Sequence, residues 1–311
     1  MPEPAAKRGW RHIFGPVPSR RFGRSLGIDP FDKKTCTFGC IFCEAGCTVV
    51  KTLDRREYAP VEEILNEFRA WLGTGEIADV VTLAGSGEPT LHARFGDILR
   101  GIRDACSLRR VLLSNGSLFY LPEVRREAAF ADVVKVTLSA WDQRSFEALH
   151  RPHAGLNFDR VVEGLNAFRR EYGGELCVEV FAAAGINDGV DAMKKIAELV
   201  NRLGPDRVYL NTLVRPGADR HVRGVDMAVL AEMAGFFRPQ AELPAAFQGG
   251  AAGLKWDEQR ILAMLERRPC SAADIAALAG ISEAEAAGRL ALLEKRGLVR
   301  KEETGGCWVL K

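Results

Sequence analysis

No apolar stretch in this 311-residue chain is long enough to cross a bilayer. The opening MPEPAAKRGWRHIFGP lacks the apolar run and small-residue cleavage site of a secretory signal. A membrane-spanning or exported protein is therefore not expected, and a cytoplasmic location is. Charge of one sign is also missing: 43 Lys and Arg stand against 41 Asp and Glu, a formal net charge of +2. Such a chain lacks the global field that draws a dedicated nucleic-acid binder onto a phosphate backbone. There is no solenoid-type repeat and no low-complexity tract beyond one short linker. A disulfide framework is not expected either, because the cytosol keeps thiols reduced. Eight cysteines in such a chain point instead to metal ligation, and four of them crowd into residues 36 to 47.

The remainder alternates short runs rich in Val, Leu and Ile with longer stretches of helical spacing, the pattern of parallel strands joined by helices. Strands are expected at residues 25–28, 79–84, 110–113, 133–138, 176–181 and 207–210. Helices are expected at 61–72, 95–105, 123–129, 142–149, 157–170 and 190–203. Periodicity alone allows six such repeats to close partly into a barrel or to lie open as a doubly wound sheet. In either case the chemistry gathers at the C-terminal ends of the strands. The expected fold class is α/β, a partial (β/α)6 TIM-like barrel of parallel strands over residues 25–238, with residues 1–24 as an extension packing on it and a last helix at 226–237. A Pro-, Gly- and Ala-rich linker covers 239–254. Residues 255–311 then read as three helices and a β-hairpin, a winged helix-turn-helix domain, with Ser271 and Ser282 as N-caps and Gly305 and Gly306 at the hairpin turn.

The strongest chemical signal is KTCTFGCIFC, which sets Cys36, Cys40 and Cys43 at C-x3-C-x2-C spacing just after the first expected strand. One loop can wrap a cubane cluster at that spacing, and three thiolates on four irons leave one iron open. Cys47 adds a fourth thiol, so a closed zinc or electron-transfer site also fits this motif alone. The next strand ends in Gly85, Ser86, Gly87 and Glu88, where two residues without side chains let the backbone approach a ligand closely. Later strand ends bring Ser114 and Asn115, Ser139 and Asp142, Asn187 and Asp188, and Asn211, Thr212 and Arg215. Each delivers short polar groups toward one rim.

The cysteine spacing, Phe42 just before the last cysteine, and the Gly-Ser-Gly-Glu turn together resemble the radical S-adenosylmethionine (radical SAM) superfamily. The blocks FGPVPSRRFGRSLGID, GSGEPTLH, HRPHAGL and LNTLVRPG, within residues 13–216, look like a group loosely related to the tRNA wyosine-base (4-demethylwyosine) synthases. The resemblance implies a [4Fe-4S] cluster on Cys36, Cys40 and Cys43, with S-adenosyl-L-methionine (SAM) on the open iron. It places the backbone near Phe42 at the adenine and the turn Gly85, Ser86, Gly87, Glu88 at the methionine amino group. Ser139 and Asn187 become candidates for ribose and methionine contacts, and Asn115 and Asn211 for cofactor or substrate. Ser86 departs from the Gly-Gly-Glu pattern, and Cys47 is not required by the motif and reads as spare. The implied chemistry is reductive cleavage of SAM to a 5'-deoxyadenosyl radical that abstracts hydrogen from an RNA base, a peptide or a small metabolite. A reductant such as ferredoxin or flavodoxin is the implied partner.

Two basic clusters are the clues to substrate: Arg20, Arg21 and Arg24 before the first strand, and His150, Arg151 and His153 after the fourth helix, joined by Arg215 at the sixth strand end. Guanidinium groups suit phosphate or carboxylate recognition, in a tRNA backbone or a small anion. The winged helix is expected to dock a protein or the substrate rather than DNA. Its residues 255–311 carry ten basic against nine acidic side chains, and Glu283 and Glu285 stand at the helix end that would enter a groove. The competing reading is an iron-sulfur, redox-responsive DNA-binding regulator.

Overall fold

The computed structural model describes residues 10–19, 21–244, 258–267, 269–302 and 306–311. Arg20, residues 245–254 of the expected linker and Gly305 lie outside the described residues.

The chain opens with an antiparallel pair, β1 (Ile13–Ser19) and β2 (Gly23–Ile28). Two short strands, β3 (Thr35–Cys36) and β4 (Val50–Lys51), bracket the cysteine loop. There follow α1 (Val61–Leu72), β5 (Val80–Leu83), α2 (Phe95–Ala105), β6 (Arg109–Leu113), α3 (Pro122–Ala128) and β7 (Val133–Thr137). Next come α4 (Gln143–His150), α5 (Phe158–Glu171), β8 (Glu175–Ala182), α6 (Val190–Leu203), β9 (Arg207–Thr212) and α7 (Met227–Ala234). Seven strands form one sheet in the order β1-β2-β5-β6-β7-β8-β9, parallel from β2 onward. The six parallel strands curl into a partial barrel with helices outside, so the expected α/β class holds.

Period-two alternation divides the strands between two environments. Leu26, Val81, Leu83, Leu112, Val134, Val136, Val178, Val180, Val208 and Leu210 face outward into the main core, where Ile64, Phe68, Ile98, Leu165, Phe168 and Ile196 of the helices cover them. The inward set starts with an apolar floor of Val80, Val111, Val133, Cys177 and Tyr209, against which Phe22 and Leu113 pack. Above that floor the inward residues turn polar: Ser25, Thr82, Lys135, Glu179 and Asn211. Ion pairs tie the strand starts to their neighbours, Arg24 to Asp79 at 2.6 Å, Arg110 to Asp132 and Arg169 to Asp206 at 2.9 Å.

One boundary changes. The sequence reading places residues 13–19 in an extension that packs on the barrel; the structure makes them the sheet's edge strand. Gly15, Pro16 and Pro18 argue against a strand in sequence, yet an edge tolerates Pro, and the register shifts between Phe14 and Val17 as at a bulge. Gly27 is required beneath this strand, because a Cβ there would lie 2.0 Å from the Phe14 ring. The opposite edge, β9, is capped by Glu242, whose backbone pairs with Val208 and Leu210.

The C-terminal unit comprises α8 (Glu258–Arg267), α9 (Ala272–Ala279), α10 (Glu283–Lys295) and the antiparallel pair β10 (Val299–Lys301) and β11 (Trp308–Leu310). Ile261, Leu265, Ile275, Leu290, Leu293 and Trp308 build its separate core. Ser271 and Ser282 cap α9 and α10 through their side chains, as the sequence leads one to expect. Val17 of β1 packs into this second core, so the winged helix rests on the barrel's edge strand. No helix among the described residues is long and apolar enough to cross a membrane.

Phe168 on α5 is fully buried and stacks on Tyr172 at 4.6 Å and edge-on against Phe119 at 4.5 Å. Phe168→Ala should cost about 3–5 kcal/mol of stability, read as a lower urea midpoint with an unchanged slope.

Candidate active site

The cysteine loop leaves the top of β2 and is held from three sides. Asp29, at the strand end, accepts hydrogen bonds from the Ser86 amide at 2.9 Å and the Ser86 hydroxyl at 2.5 Å, joining this loop to the one after β5. Gly87 is pressed so closely on the loop that a Cβ would lie 1.8 Å from the Thr35 carbonyl oxygen, and Glu88 N donates to that same oxygen at 3.0 Å. On the far side, the amides of Gly39 and Ile41 donate to the carbonyls of His150 and Leu149 at the end of α4, at 2.9 and 3.1 Å.

The thiols sit in a polar frame. Lys34 Nζ donates to Cys43 Sγ at 2.8 Å and also to the Gly46 carbonyl. Asn115 Nδ2 lies 3.5 Å from Cys36 Sγ and donates to Thr37 Oγ1 at 2.8 Å. Cys40 Sγ lies 3.3 Å from His150 Nδ1. Burial pushes the Cys36 thiol up to about 12, with the Glu88 charge adding to it. Burial and the neighbouring Cys43 and Cys36 also push Cys40 well up. The His150 imidazole is driven down to about 3 by burial and is neutral. Cys47 is exposed, its sulfur 3.6 Å from the Ala218 carbonyl. Among the described residues no three His, Cys, Asp or Glu side chains gather at single-ion distance, the four thiols of residues 36–47 included. Three soft thiols on one loop, with an ammonium and an amide beside them, are a donor set that fits an iron-sulfur cluster.

Beneath this loop lies a cavity of about 390 Å³ that occupies the barrel lumen. Phe42, Cys43 and Glu44 form its upper wall, Ala84, Leu113 and Phe181 its sides, and Ser25, Thr82, Lys135, Glu179 and Asn211 its middle. Phe42 stacks on Phe181 with centroids 4.1 Å apart and planes 10° from parallel. The β1–β2 turn crosses below, where Arg21 Nη1 donates to Glu179 Oε1 at 2.9 Å and its guanidinium covers the Tyr209 ring at 4.1 Å.

A model of the Radical SAM superfamily matches residues 33–200, more than half of the chain. The protein belongs to the radical SAM superfamily. A model of the MarR family matches residues 252–306, over the winged helix. A UPF0026 protein of Helicobacter pylori (strain J99) is 34% identical over 273 residues, 86% of this chain and 87% of that protein. A Brachyspira hyodysenteriae protein named GTPase Obg is 31% identical over 301 residues, 95% of this chain, which spans only 44% of that relative. The fold matches that of Streptococcus suis SuiB bound to S-adenosylmethionine with a TM-score of 0.51 at 15% identity, over 75% of this chain and 53% of that one. The chain is thus a radical SAM enzyme, with a [4Fe-4S] cluster and SAM as its cofactors.

In this radical SAM barrel several sequence candidates are engaged in hydrogen bonds within the chain. Glu88 is fully buried, and its Oε1 accepts from Ser114 Oγ at 2.7 Å and Thr90 Oγ1 at 2.6 Å, its Oε2 from Asn115 N at 2.6 Å. Burial raises this carboxyl and the hydrogen bonds temper the rise. Its carboxylate aims Asn115 and is not presented to the cavity. Ser139 and Asn187 are also fully buried. The Ser139 hydroxyl accepts from Phe181 N at 2.8 Å, and Asn187 Nδ2 donates to the Ser139 and Phe181 carbonyls at 3.0 and 2.8 Å. They lock the ends of β7 and β8 together behind Phe181, away from the cavity lining. Gly85, Ser86 and Gly87 stay beside the cysteine loop, and Asn211 lines the cavity.

Of the basic candidates, Arg21 and Arg215 line the cavity. Arg24 is held outside by Asp79. Arg151 pairs with Asp219 at 2.8 Å on the surface. His153 Nδ1 accepts from Gly155 N at 3.1 Å, and His150 is packed under the cysteine loop. Arg215 is buried between Glu44 Oε2 and Asp274 Oδ1, both at 2.9 Å. Burial works against its charge, but the two carboxylates raise it above the ordinary arginine range.

Lys135, Glu179, Phe181 and Glu44 were missed. The signal for the first two was available: a lysine in VVKVT and a glutamate in CVEVF each interrupt a strand otherwise apolar on both faces, which in a parallel sheet marks an inward functional position. Burial alone would raise Glu179, yet Lys135 at 2.8 Å and Arg21 hold it down at about 2, against 4.5 for a free glutamate. A native pKa below the unfolded one adds stability above pH 4.5 that is lost as pH falls toward 2. Glu179→Gln should therefore cost about 3 kcal/mol near neutral pH and flatten the acid limb of stability, as urea titrations across that range would record. An acid limb identical to that of the native protein would refute this assignment.

Proposed function

We propose that Cys36, Cys40 and Cys43 hold the [4Fe-4S] cluster and that the substrate lies below it in the barrel lumen. One observation carries the reading: Phe42 and Cys43 of the cysteine loop line the same cavity as the inward charges of β7 and β8. Held by these three thiols, the cluster would supply the electron for reductive SAM cleavage and so radical hydrogen abstraction from the substrate.

The chain's own groups prepare this site. Lys34 places a positive charge and an N–H donor on Cys43, and Asn115 places an uncharged N–H donor on Cys36, outer partners of the kind that orient and tune metal-ligating sulfur. Glu88 orients Asn115 from below. The glycine-rich turn at Gly85–Gly87 brings backbone within reach of a ligand's polar end. The stacked pair Phe42 and Phe181, with Leu113 and Ala84, forms an apolar wall where a reactive intermediate is shielded from water. A one-electron donor of the ferredoxin or flavodoxin type is the required partner. The winged helix serves docking to protein or substrate rather than DNA. Asp274 in the first turn of α9 is turned onto the barrel's Arg215, and α10 opens with Glu283 and Glu285.

Anaerobic reconstitution with iron and sulfide tests the ligand assignment. Cys43→Ala should abolish the cluster's visible absorbance and 5'-deoxyadenosine formation under a strong reductant, whereas Cys47→Ala should keep both. Loss of the cluster in Cys47→Ala, or stoichiometric zinc in the native protein, would reject the assignment. Asn115→Leu removes an outer partner only and should lower SAM cleavage about 10- to 100-fold while the cluster still loads. Specific duplex binding that depends on the winged helix, seen by fluorescence anisotropy, would instead favour a regulator.

A further inference from the structure

The middle of the lumen holds more positive charge than the protein itself uses. Lys135 from β7 and Arg21 from the β1–β2 turn converge on one carboxylate, Glu179 of β8, at 2.8 and 2.9 Å. All three side chains are mostly buried, with 13%, 18% and 13% of their surface exposed. Among the described residues the Lys135 ammonium has Glu179 as its one partner, which leaves two N–H donors unused. The Arg21 guanidinium spends one N–H on Glu179 and lays its face on Tyr209. The floor below is apolar apart from the Cys177 thiol and the Tyr209 hydroxyl, which accepts no hydrogen bond from either cation. The rim offers no competing cation, because Arg215 is already flanked by Glu44 and Asp274. Two mostly buried cations facing one carboxylate leave a local charge of +1 and a surplus of donors in the middle of the cavity, whereas the rim group of Arg215, Glu44 and Asp274 carries −1; the middle is completed by one more anion.

The size and enclosure of the lumen limit what carries that anion. The sheet is open between its edge strands, β1 and β9. The winged helix touches both sides of that opening: its core takes in Val17 of β1, and Asp274 and Glu302 pair with Arg215 and Arg220 beyond β9, at 2.9 and 3.4 Å. A folded macromolecule approaching from the side meets this domain before it meets Lys135, and the cavity volume of about 390 Å³ is that of a small-ligand pocket.

We propose that the substrate is a small organic anion whose carboxylate or phosphate group is seated on Lys135 and Arg21, with its reacting end turned up toward Phe42 and Cys43. This deepens the active-site reading above and rests on it for the identity of the upper wall. Glu179 is then a positioning residue that holds the two cations side by side.

Binding can be measured without turnover. Calorimetry on the cluster-loaded protein at constant ionic strength, with inorganic phosphate and succinate as probes and sodium chloride as reference, separates the two anion chemistries. We expect one probe to bind, and Lys135→Met to weaken it by roughly tenfold or more. Lys135→Arg should bind it with near-native affinity. The double variant Lys135→Met/Glu179→Gln leaves no stranded carboxylate and should lose the probe just as fully, with circular dichroism and cluster absorbance reporting its fold. Binding of neither probe above the chloride reference, or equal binding by the Lys135→Met protein, would overturn the proposal. So would 5'-deoxyadenosine release stimulated by tRNA but not by the dialysable pool of a cell extract. Anion binding that persists in a protein unable to cleave SAM would reject the active-site reading and leave the seat standing.

Discussion

Glu88 is the constraint on which the site depends. Its carboxylate is buried where water cannot solvate it, so each oxygen must find donors in the protein, and the donors it finds are Thr90, Ser114 and the amide of Asn115. Satisfying one buried acid thereby fixes the end of β5, the end of β6 and the direction of the Asn115 amide. With its backbone N–H so held, Asn115 extends its side-chain Nδ2 to Cys36 and Thr37. The backbone of Glu88 joins the same network by donating to Thr35 just before the first cysteine. The glutamate of the Gly-Ser-Gly-Glu turn is thus a keystone between two strand ends and the cysteine loop.

The barrel then separates stability from chemistry by the two faces of its strands. Outward residues are apolar and are covered by helices, which is the ordinary source of stability in a parallel sheet. Inward residues change character with height: an apolar floor, a charged and hydroxylated middle, and an aromatic and thiol-lined top. Burying Lys135, Arg21 and Glu179 in the middle layer costs desolvation that their mutual attraction offsets only because the geometry is close. Such a layer is poor design for stability alone and sensible design for a binding site.

Arg215 connects the third part of the molecule. It binds Glu44 of the cysteine loop with one amine and Asp274 of the winged helix with the other. Asp274 meanwhile accepts from the amide and hydroxyl of Ser271 as part of the α9 capping box. One guanidinium therefore links the start of a winged-helix element to the cysteine loop, and any displacement of that domain is felt next to Cys43.

Much of the fold was legible because helices and strands have different periods. The expected strand at 110–113 appears as Arg109–Leu113 and the helix at 61–72 as Val61–Leu72. The cysteine loop was legible because its spacing is local: Cys36, Cys40 and Cys43 can meet through a handful of backbone angles whatever the rest of the chain does. What stayed hidden required the sheet to curl. Curvature takes Ser139 and Asn187 out of the lining and into buried links, turns Arg24 outward, and brings Arg21 to Glu179 across 158 residues of sequence. The sequence by itself determined the strand order of the chemistry and the thiols that open it. Only the tertiary structure decided which charges share the lumen, because that depends on which face each strand presents inside and on how far around the barrel the next strand stands.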